Sequence, residues 1–300
     1  MATLYTQAES NIHKTWLLIT GFLVFIIFLG WIFSYLLDNS IFLVLAVVLA
    51  IFQSILSYLY SDKIVLAMTR AKPIEKKDNP ELYRIIENLC LTAGLPLPKI
   101  YIIEEAQPNA FATGRDAKHA VVAVTRGLLE KLEKSELEGV ISHELSHIGN
   151  KDMLLQTIVV VLVGIVAILS NFFLRISFFG GGRRRDSRDS GGAILAIFGI
   201  LAAFLAPIAA TLIQLAISRK REFLADATGA LLTRYPEGLA KALEKISADP
   251  NSLRVANNST AHLFIASPFR GEQAKNWLIK LFSTHPPVEE RIKALREMSV

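Results

Sequence analysis

The 300-residue sequence predicts an α-helical membrane protein that carries a compact α+β unit, with four hydrophobic segments in all. Three observations predict it. Hydrophobic residues make up 52% of the chain and charged residues 20%, and the mean hydropathy is +0.41, so a large share of the chain is not the core of a soluble domain. Uncharged apolar runs at 16–37 and 41–60 are long enough to span ~30 Å of hydrocarbon, and two more apolar stretches follow at 153–179 and 193–217. The intervening segments 61–152 and 218–300 instead show the polar-faced periodicities of helices and strands.

Residues 1–13 form a short polar N-terminus without the Arg-rich character of a transit peptide. The run at 16–37 exceeds the ~7–15 residues of a signal-peptide core, and no small-residue cleavage site follows it, so it is an anchor that stays. Asp38, Asn39 and Ser40 make a tight turn into the second run, which gives a transmembrane hairpin over 14–60. Lys63, Arg70, Lys72, Lys76 and Lys77 follow, whereas the turn between the runs carries no positive charge. The positive-inside rule then puts the N-terminus and the segment after residue 60 in the cytoplasm. The net charge of +5 sits beside apolar runs, with no basic and aromatic interleaving, so no nucleic-acid partner is expected. Cys90 is the one cysteine, which excludes an intrachain disulfide and a thiolate metal site and fits a reducing compartment.

Residues 61–152 read as the first part of the α+β unit. Asn79 and Pro80 open a helix with Leu82, Ile85, Ile86, Leu89 and Cys90 inward, closed by Gly94 ahead of Pro96 and Pro98. Strands are expected at 99–103 and 119–124, with residues 109–113 between them and a short helix at 127–132. Residues 109–113 are too polar for a central strand and have small residues at alternate positions, and a connecting loop is one reading of them. Ser135 with Glu138 reads as a capping box that starts a helix whose apolar stripe is Leu137, Val140, Ile141, Leu145 and Ile148.

That helix carries His143, Glu144, Leu145, Ser146 and His147. Positions four apart share a helix face, so His143 and His147 can reach one Zn²⁺. Glu144, one step off that line, stands beside an open coordination position, where it can accept a proton from a water attacking a peptide carbonyl. The pattern occurs in many unrelated chains and needs a third ligand.

The next segment, 153–217, reads as a second hydrophobic hairpin around the Gly/Arg-rich loop 180–192. A full crossing puts Arg183, Arg184, Arg185 and Arg188 on the outer face, against the charge rule, whereas Arg219, Lys220 and Arg221 obey it. A hairpin that dips in without crossing is the alternative. Either way the chain returns at residue 218 to the side it left. There Glu222 can complete a two-histidine, one-glutamate site, and Asp226, four residues on, can accept the second N–H of a ligand histidine.

Taken in order, the two N-terminal spans, Asn109-Ala110-Phe111-Ala112, His143-Glu144-Leu145-Ser146-His147, the hairpin, Arg221-Glu222-Phe223-Leu224-Ala225-Asp226 and Thr284-His285-Pro286-Pro287 with Arg291 resemble the HtpX-type membrane zinc metalloproteases, relatives of the CAAX prenyl endopeptidases. The resemblance covers nearly the whole chain. It implies a zincin-like (gluzincin) α+β catalytic domain holding one Zn²⁺ per chain on His143, His147 and Glu222, with Glu144 as general base. It also implies that His285 faces the cleft as a second catalytic group, that Arg291 pairs with Asp226, and that Asn109, Ala110, Phe111 and Ala112 form a substrate-binding edge strand. The implied setting is the cytoplasmic face of a bacterial inner membrane. The implied partners are the lipid bilayer, unfolded or misfolded membrane proteins cleaved under stress, and other membrane proteases or quality-control proteins.

Competing classes fit less well. A non-proteolytic membrane chaperone or scaffold with a vestigial site predicts loss of Glu144 or Glu222, and both are present. A transporter would place ionisable residues within 16–37 or 41–60, which have none. An intramembrane protease would bury its His-Glu-x-x-His inside an apolar span, whereas here the motif precedes one on a charged, amphipathic helix.

Overall fold

The structure, a computed structural model, describes residues 4–36, 38–179, 219–256, 259–268 and 286–298, with positions 200, 205, 208 and 212 alone between them. The rest of the expected fourth hydrophobic segment, the loop 180–192, the helix expected around 277–282 and His285 lie outside the described residues.

Helices α1 (Leu4–Leu36) and α2 (Ile41–Met68) form the N-terminal hairpin, and both outrun their apolar stretches. Most of the expected polar tail is helical, because nothing between Leu4 and Trp16 breaks a helix. Likewise α2 runs past residue 60, since no Gly or Pro intervenes before Pro73. Leu17, Phe28, Trp31, Val44, Leu49 and Phe52 are exposed on this pair. Such a surface would aggregate in water and suits contact with lipid.

The α+β unit begins with β1 (Lys72–Pro73) and α3 (Pro80–Ala93). The Asn79 side chain accepts from the Leu82 N–H at 3.0 Å, Gly94 closes α3 with φ +66°, and the five expected inward residues are buried. Strands β2 (Lys99–Ile103), β3 (Ala110–Thr113) and β4 (Val121–Thr125) complete a sheet of order β1-β2-β4-β3. Strands β2 and β4 pair in parallel, while β1 and β3 are antiparallel to their neighbours. Residues 110–113 therefore form an edge strand rather than a loop. Strand β4 starts later than expected because Asp116 caps a 3-10 turn over Ala117–His119, accepting from the His119 N–H at 3.0 Å.

Helices α4 (Arg126–Lys131) and α5 (Lys134–Gly149) follow. The capping box of α5 is formed by Glu133 and Glu136, not by Ser135 and Glu138, which lie inside the helix. Glu136 takes this role because its carboxylate accepts from the Glu133 N–H at 2.8 Å and from Lys245 Nζ at 2.7 Å. The structure also corrects the expectation of a charged, amphipathic α5. From Glu136 to Ile148 every residue except Glu138 is buried, so α5 is the central helix of the unit.

Helix α6 (Asp152–Phe179) leaves directly from α5, and α7 (Arg219–Thr233), α8 (Pro236–Ala248) and α9 (Val288–Arg296) close the unit. One core joins Ile86, Ile100, Val122, Val140, Ile141, Leu145, Leu239, Leu243 and Leu295 across α3, the sheet, α5, α8 and α9. Each large aliphatic side chain buried there contributes ~1.5–3 kcal/mol. Helix α7 lies so close to α5 that a Cβ on Gly229 would stand 3.0 Å from the His143 backbone nitrogen. That approach brings Glu222 within reach of the histidines.

Among the described residues, three stretches are long and apolar enough to cross a bilayer: Asn11–Tyr35, Ile41–Met68 and Asp152–Asn171. The third is the most buried, packed by Leu155, Ile158, Val159 and Leu162 against Leu18, Ile19 and Phe22 of α1. Its first turn lies at the end of α5, so the membrane helices and the α+β unit meet beside the His-Glu-x-x-His turn.

Candidate metal centre

Helix α5 presents His143, Glu144 and His147, and α7 presents Glu222. All four are at most 5% exposed. His143 Nε2 and His147 Nε2 are 3.2 Å apart, and the Glu222 carboxylate stands 3.9 Å from the first and 3.7 Å from the second. Donors ~2.0–2.2 Å from a tetrahedral Zn²⁺ stand ~3.3–3.5 Å from one another, so this spacing fits one such ion with little adjustment. Charge fits as well. Among the described residues, Glu144, Glu222, Asp226 and Asp152 are buried there beside Arg221 and Arg291, a cluster rich in carboxylates that favours a bound cation. This cluster can hold a metal ion.

Each histidine is fixed through its other nitrogen. His143 Nδ1 lies 2.8 Å from Asp226 Oδ1, and Arg291 donates to both oxygens of that carboxylate, at 2.8 and 2.7 Å. Arg291 also donates to the Ile265 carbonyl at 2.9 Å, which ties α9 to the segment beside β3. Asp226 and Arg291 thus meet as expected. His147 Nδ1 lies 3.2 Å from Asp152 Oδ2, an arrangement the sequence pattern did not single out. The other oxygen of Asp152 accepts from Asn11 Nδ2 at 2.6 Å, and Arg221 Nη1 donates to Asn11 Oδ1 at 3.2 Å. Arg221 was expected as a membrane-flanking charge, but it is turned inward and 3% exposed. The sequence cue for Asp152 was its place five residues after His147 at the head of an apolar helix. Asn11 carried no cue, since it reads as part of a polar tail.

Electrostatics follow from this packing. Burial pushes the Glu144 carboxyl up to about 7, aided by the charge of Glu222 and opposed by His147. Burial lowers His143, against the pull of Asp226. Burial would also lower His147, but the hydrogen bond to Asp152 and the charges of Glu222, Asp152 and Glu144 outweigh it and raise it to about 9. Burial would raise Asp226, yet Arg291 and His143 hold it down at about 2.

Strand β3 runs past the site. The Ala112 backbone hydrogen-bonds to Glu144, and Thr113 Oγ1 meets Thr157 Oγ1 of α6 at 2.9 Å. Its neighbours serve the scaffold. The Asn109 amide donates to the Ala266 carbonyl at 3.1 Å, Ala110 O accepts from the Ile265 N–H at 3.1 Å, and the Phe111 ring packs edge-on against Phe264. Only the Ala112 end of the expected edge therefore faces Glu144.

A buried His₂Glu cluster beside an edge strand, next to helices fit for a bilayer, defines a membrane-associated metallopeptidase. Comparison with known proteins makes this specific: the chain belongs to peptidase family M48, whose profile matches residues 76–299. It is 45% identical over 304 residues to a protease HtpX homolog of Thermoanaerobacter pseudethanolicus, covering 99% of both chains. It is 50% identical over 258 residues to one of Syntrophobacter fumaroxidans, covering 85% of this chain and 89% of that one. The crystal structure of S. mikatae Ste24p aligns with a TM-score of 0.49 at 20% identity, over 97% of this chain and 67% of that one. The protein is a membrane zinc metalloprotease of this family.

Proposed function

We propose that the protein is an endopeptidase that cleaves misfolded or damaged membrane proteins at the cytoplasmic face of the cell membrane, as part of proteolytic quality control under stress. The observation that carries this reading is the spacing of the His143, His147 and Glu222 donors beside Glu144. His143, His147 and Glu222 would hold one zinc ion per chain. When bound, the ion supplies Lewis acidity to the scissile carbonyl and to a water.

The chain's own residues do the rest. The Glu144 carboxylate accepts the proton of the attacking water and passes it to the leaving amine. Its buried setting, which brings its pKa near neutrality, suits both halves of that transfer. Asp226 fixes the His143 ring, and Arg291 fixes Asp226. His285 is assigned to hydrogen-bonding the developing oxyanion, on the resemblance in sequence alone.

An extended substrate would pair with β3 near Ala112, since the Ala110 carbonyl already accepts from Ile265. Main-chain pairing reads no side chains, so selection would be by unfolding rather than by sequence. The site adjoins the first turn of α6, which suits loops and tails of membrane-tethered substrates.

The test is Glu144→Gln in full-length, detergent-purified protein, with casein as an extended substrate. The variant should keep its zinc and lose ~10²–10⁴-fold in cleavage rate. Parent-like turnover by metal-loaded Glu144→Gln would rule out the general-base assignment. Equal cleavage of a stably folded and an unfolded version of one tethered segment would rule out selection by unfolding.

A further inference from the structure

The family profile begins at residue 76, so it assigns no role to the first membrane helix. The structure assigns one. Asn11 is the first residue of the α1 span, is 1% exposed, and stands against the α5–α6 junction far away in sequence. A buried amide at the head of an apolar helix is costly unless it is fully used. Here it is used on both ends. Its NH₂ group donates to Asp152 Oδ1 at 2.6 Å and to the Asn150 carbonyl at 3.4 Å, and its oxygen accepts from Arg221 at 3.2 Å. Asparagine suits this place because it gives two donors and an acceptor without charge. An aspartate would set a second carboxylate against Asp152, and a lysine would compete with Arg221.

The Asn150 and Asp152 contacts clamp the turn between α5 and α6, where Lys151 has φ +56°. Asp152 in turn orients His147 through Nδ1. Arg221, on the other side of Asn11, adjoins Glu222 in α7. One amide on the membrane hairpin thus touches the chain next to two of the three candidate ligands, and those two come from different helices.

We propose that Asn11 is a positioning residue of the metal centre, acting through Asp152 on His147 and through Arg221 on the start of α7, so that the first membrane helix is part of the site rather than only its anchor. This inference rests on the His143, His147 and Glu222 assignment.

The experiment measures zinc loss to a chromophoric chelator from full-length protein in detergent. The variants are Asn11→Ala, Asp152→Ala, the double variant, Leu18→Ala and Glu222→Ala. Leu18→Ala is the packing control, since it loosens α1 against α6 and leaves the amide in place. Asn11→Ala should speed zinc loss roughly 10-fold, within the range usual for groups that orient ligands. The double variant should lose zinc more slowly than the two single effects combined independently would give, because the two changes share the path through Asp152. Leu18→Ala should match the parent.

A parent-like rate in Asn11→Ala, additive effects in the double variant, or an equal effect of Leu18→Ala each overturn the proposal. If Asn11→Ala does not fold, Asn11→Leu keeps the branched shape without polar atoms and is read in the same way. Parent-like retention in Glu222→Ala would instead sink the ligand assignment, so the two failures are distinct.

Discussion

His143 and His147 stand one helical turn apart, yet they are held by different parts of the chain in different styles. His143 leans on Asp226, and Arg291 grips that carboxylate with two hydrogen bonds, all within the α+β unit. His147 leans on Asp152 at the head of a membrane helix, with Asn11 of another membrane helix interposed, and the nearest guanidinium, Arg221, is 3.7 Å away. Asp226 pulls His143 upward, but the charge of Arg291 beside it works against that pull. An amide neutralises nothing. Asp152 therefore keeps its pull on His147, which with Glu222 and Glu144 raises that histidine, whereas His143 is lowered by burial. The pairing of a histidine with a carboxylate looks the same on paper in both cases, and the third partner makes the difference.

The strongest test of this contrast removes what the two halves share. Glu222→Ala takes away the carboxylate that, among the described residues, lies within 4 Å of both ring Nε2 atoms, and it should abolish stoichiometric zinc after gel filtration. A variant that retains a full equivalent would mean that the two histidines do not depend on α7.

Next come the supports themselves. Asp226→Ala and Asp152→Ala should each weaken zinc binding by ~10–100-fold. They should part company in thermal stability. Without Asp226, Arg291 is left buried without its bidentate partner, a change that typically costs ~3–5 kcal/mol. Without Asp152, Arg221 still reaches Asn11, so the loss should be smaller. Thermal unfolding of the two metal-free variants compares them directly, and a lower melting temperature for Asp152→Ala would reverse the contrast.

The smallest expected effect is in pH dependence. The Asp226 carboxyl sits at about 2 against an ordinary 3.8, so its stabilisation is present above pH ~4 and is lost as pH falls from there toward 2. This is worth ~2 kcal/mol. His147 is raised to about 9 from 6.5, so its contribution to the metal-free protein is present below pH ~6.5 and is lost as pH rises through 9. The two halves of the metal-free site should thus fail at opposite ends of the pH scale. Zinc binding at pH 8, where Glu144 is already largely ionised, should release about one proton, from His147, which calorimetry in buffers of different ionisation enthalpy would count. Release of no proton would put His147 neutral and remove the electrostatic half of the contrast.

Much of this molecule was legible in its sequence, and the gaps have physical reasons. Apolar run length, Asn79-Pro80, Gly94 and the five-residue stripe of α3 act locally, and they marked α3 and the middle, though not the ends, of the first two helices. The His143, His147 and Glu222 cluster was legible because a helix fixes the first pair, and a hairpin must return the chain to the side it left. The capping box was misplaced because Lys245, more than a hundred residues away, helps Glu136 take the role. Helix α5 reads as amphipathic because Glu136, Ser142, His143, Glu144, Ser146 and His147 are polar, yet all are buried as partners of a polar site. Asn11 and Arg221 read as tail and flanking charge for the same reason: each is a buried polar residue whose partners are remote in sequence. Composition and periodicity carry no information about such pairs.

The central claim is that two histidines and one glutamate, and no sulfur, hold the metal. Zinc K-edge absorption of the purified full-length protein tests it most directly. The account predicts a four-coordinate shell of nitrogen and oxygen at ~2.0–2.2 Å with the outer-shell scattering of two imidazoles. A sulfur scatterer near ~2.3 Å, or a shell unchanged in Glu222→Ala, would contradict it.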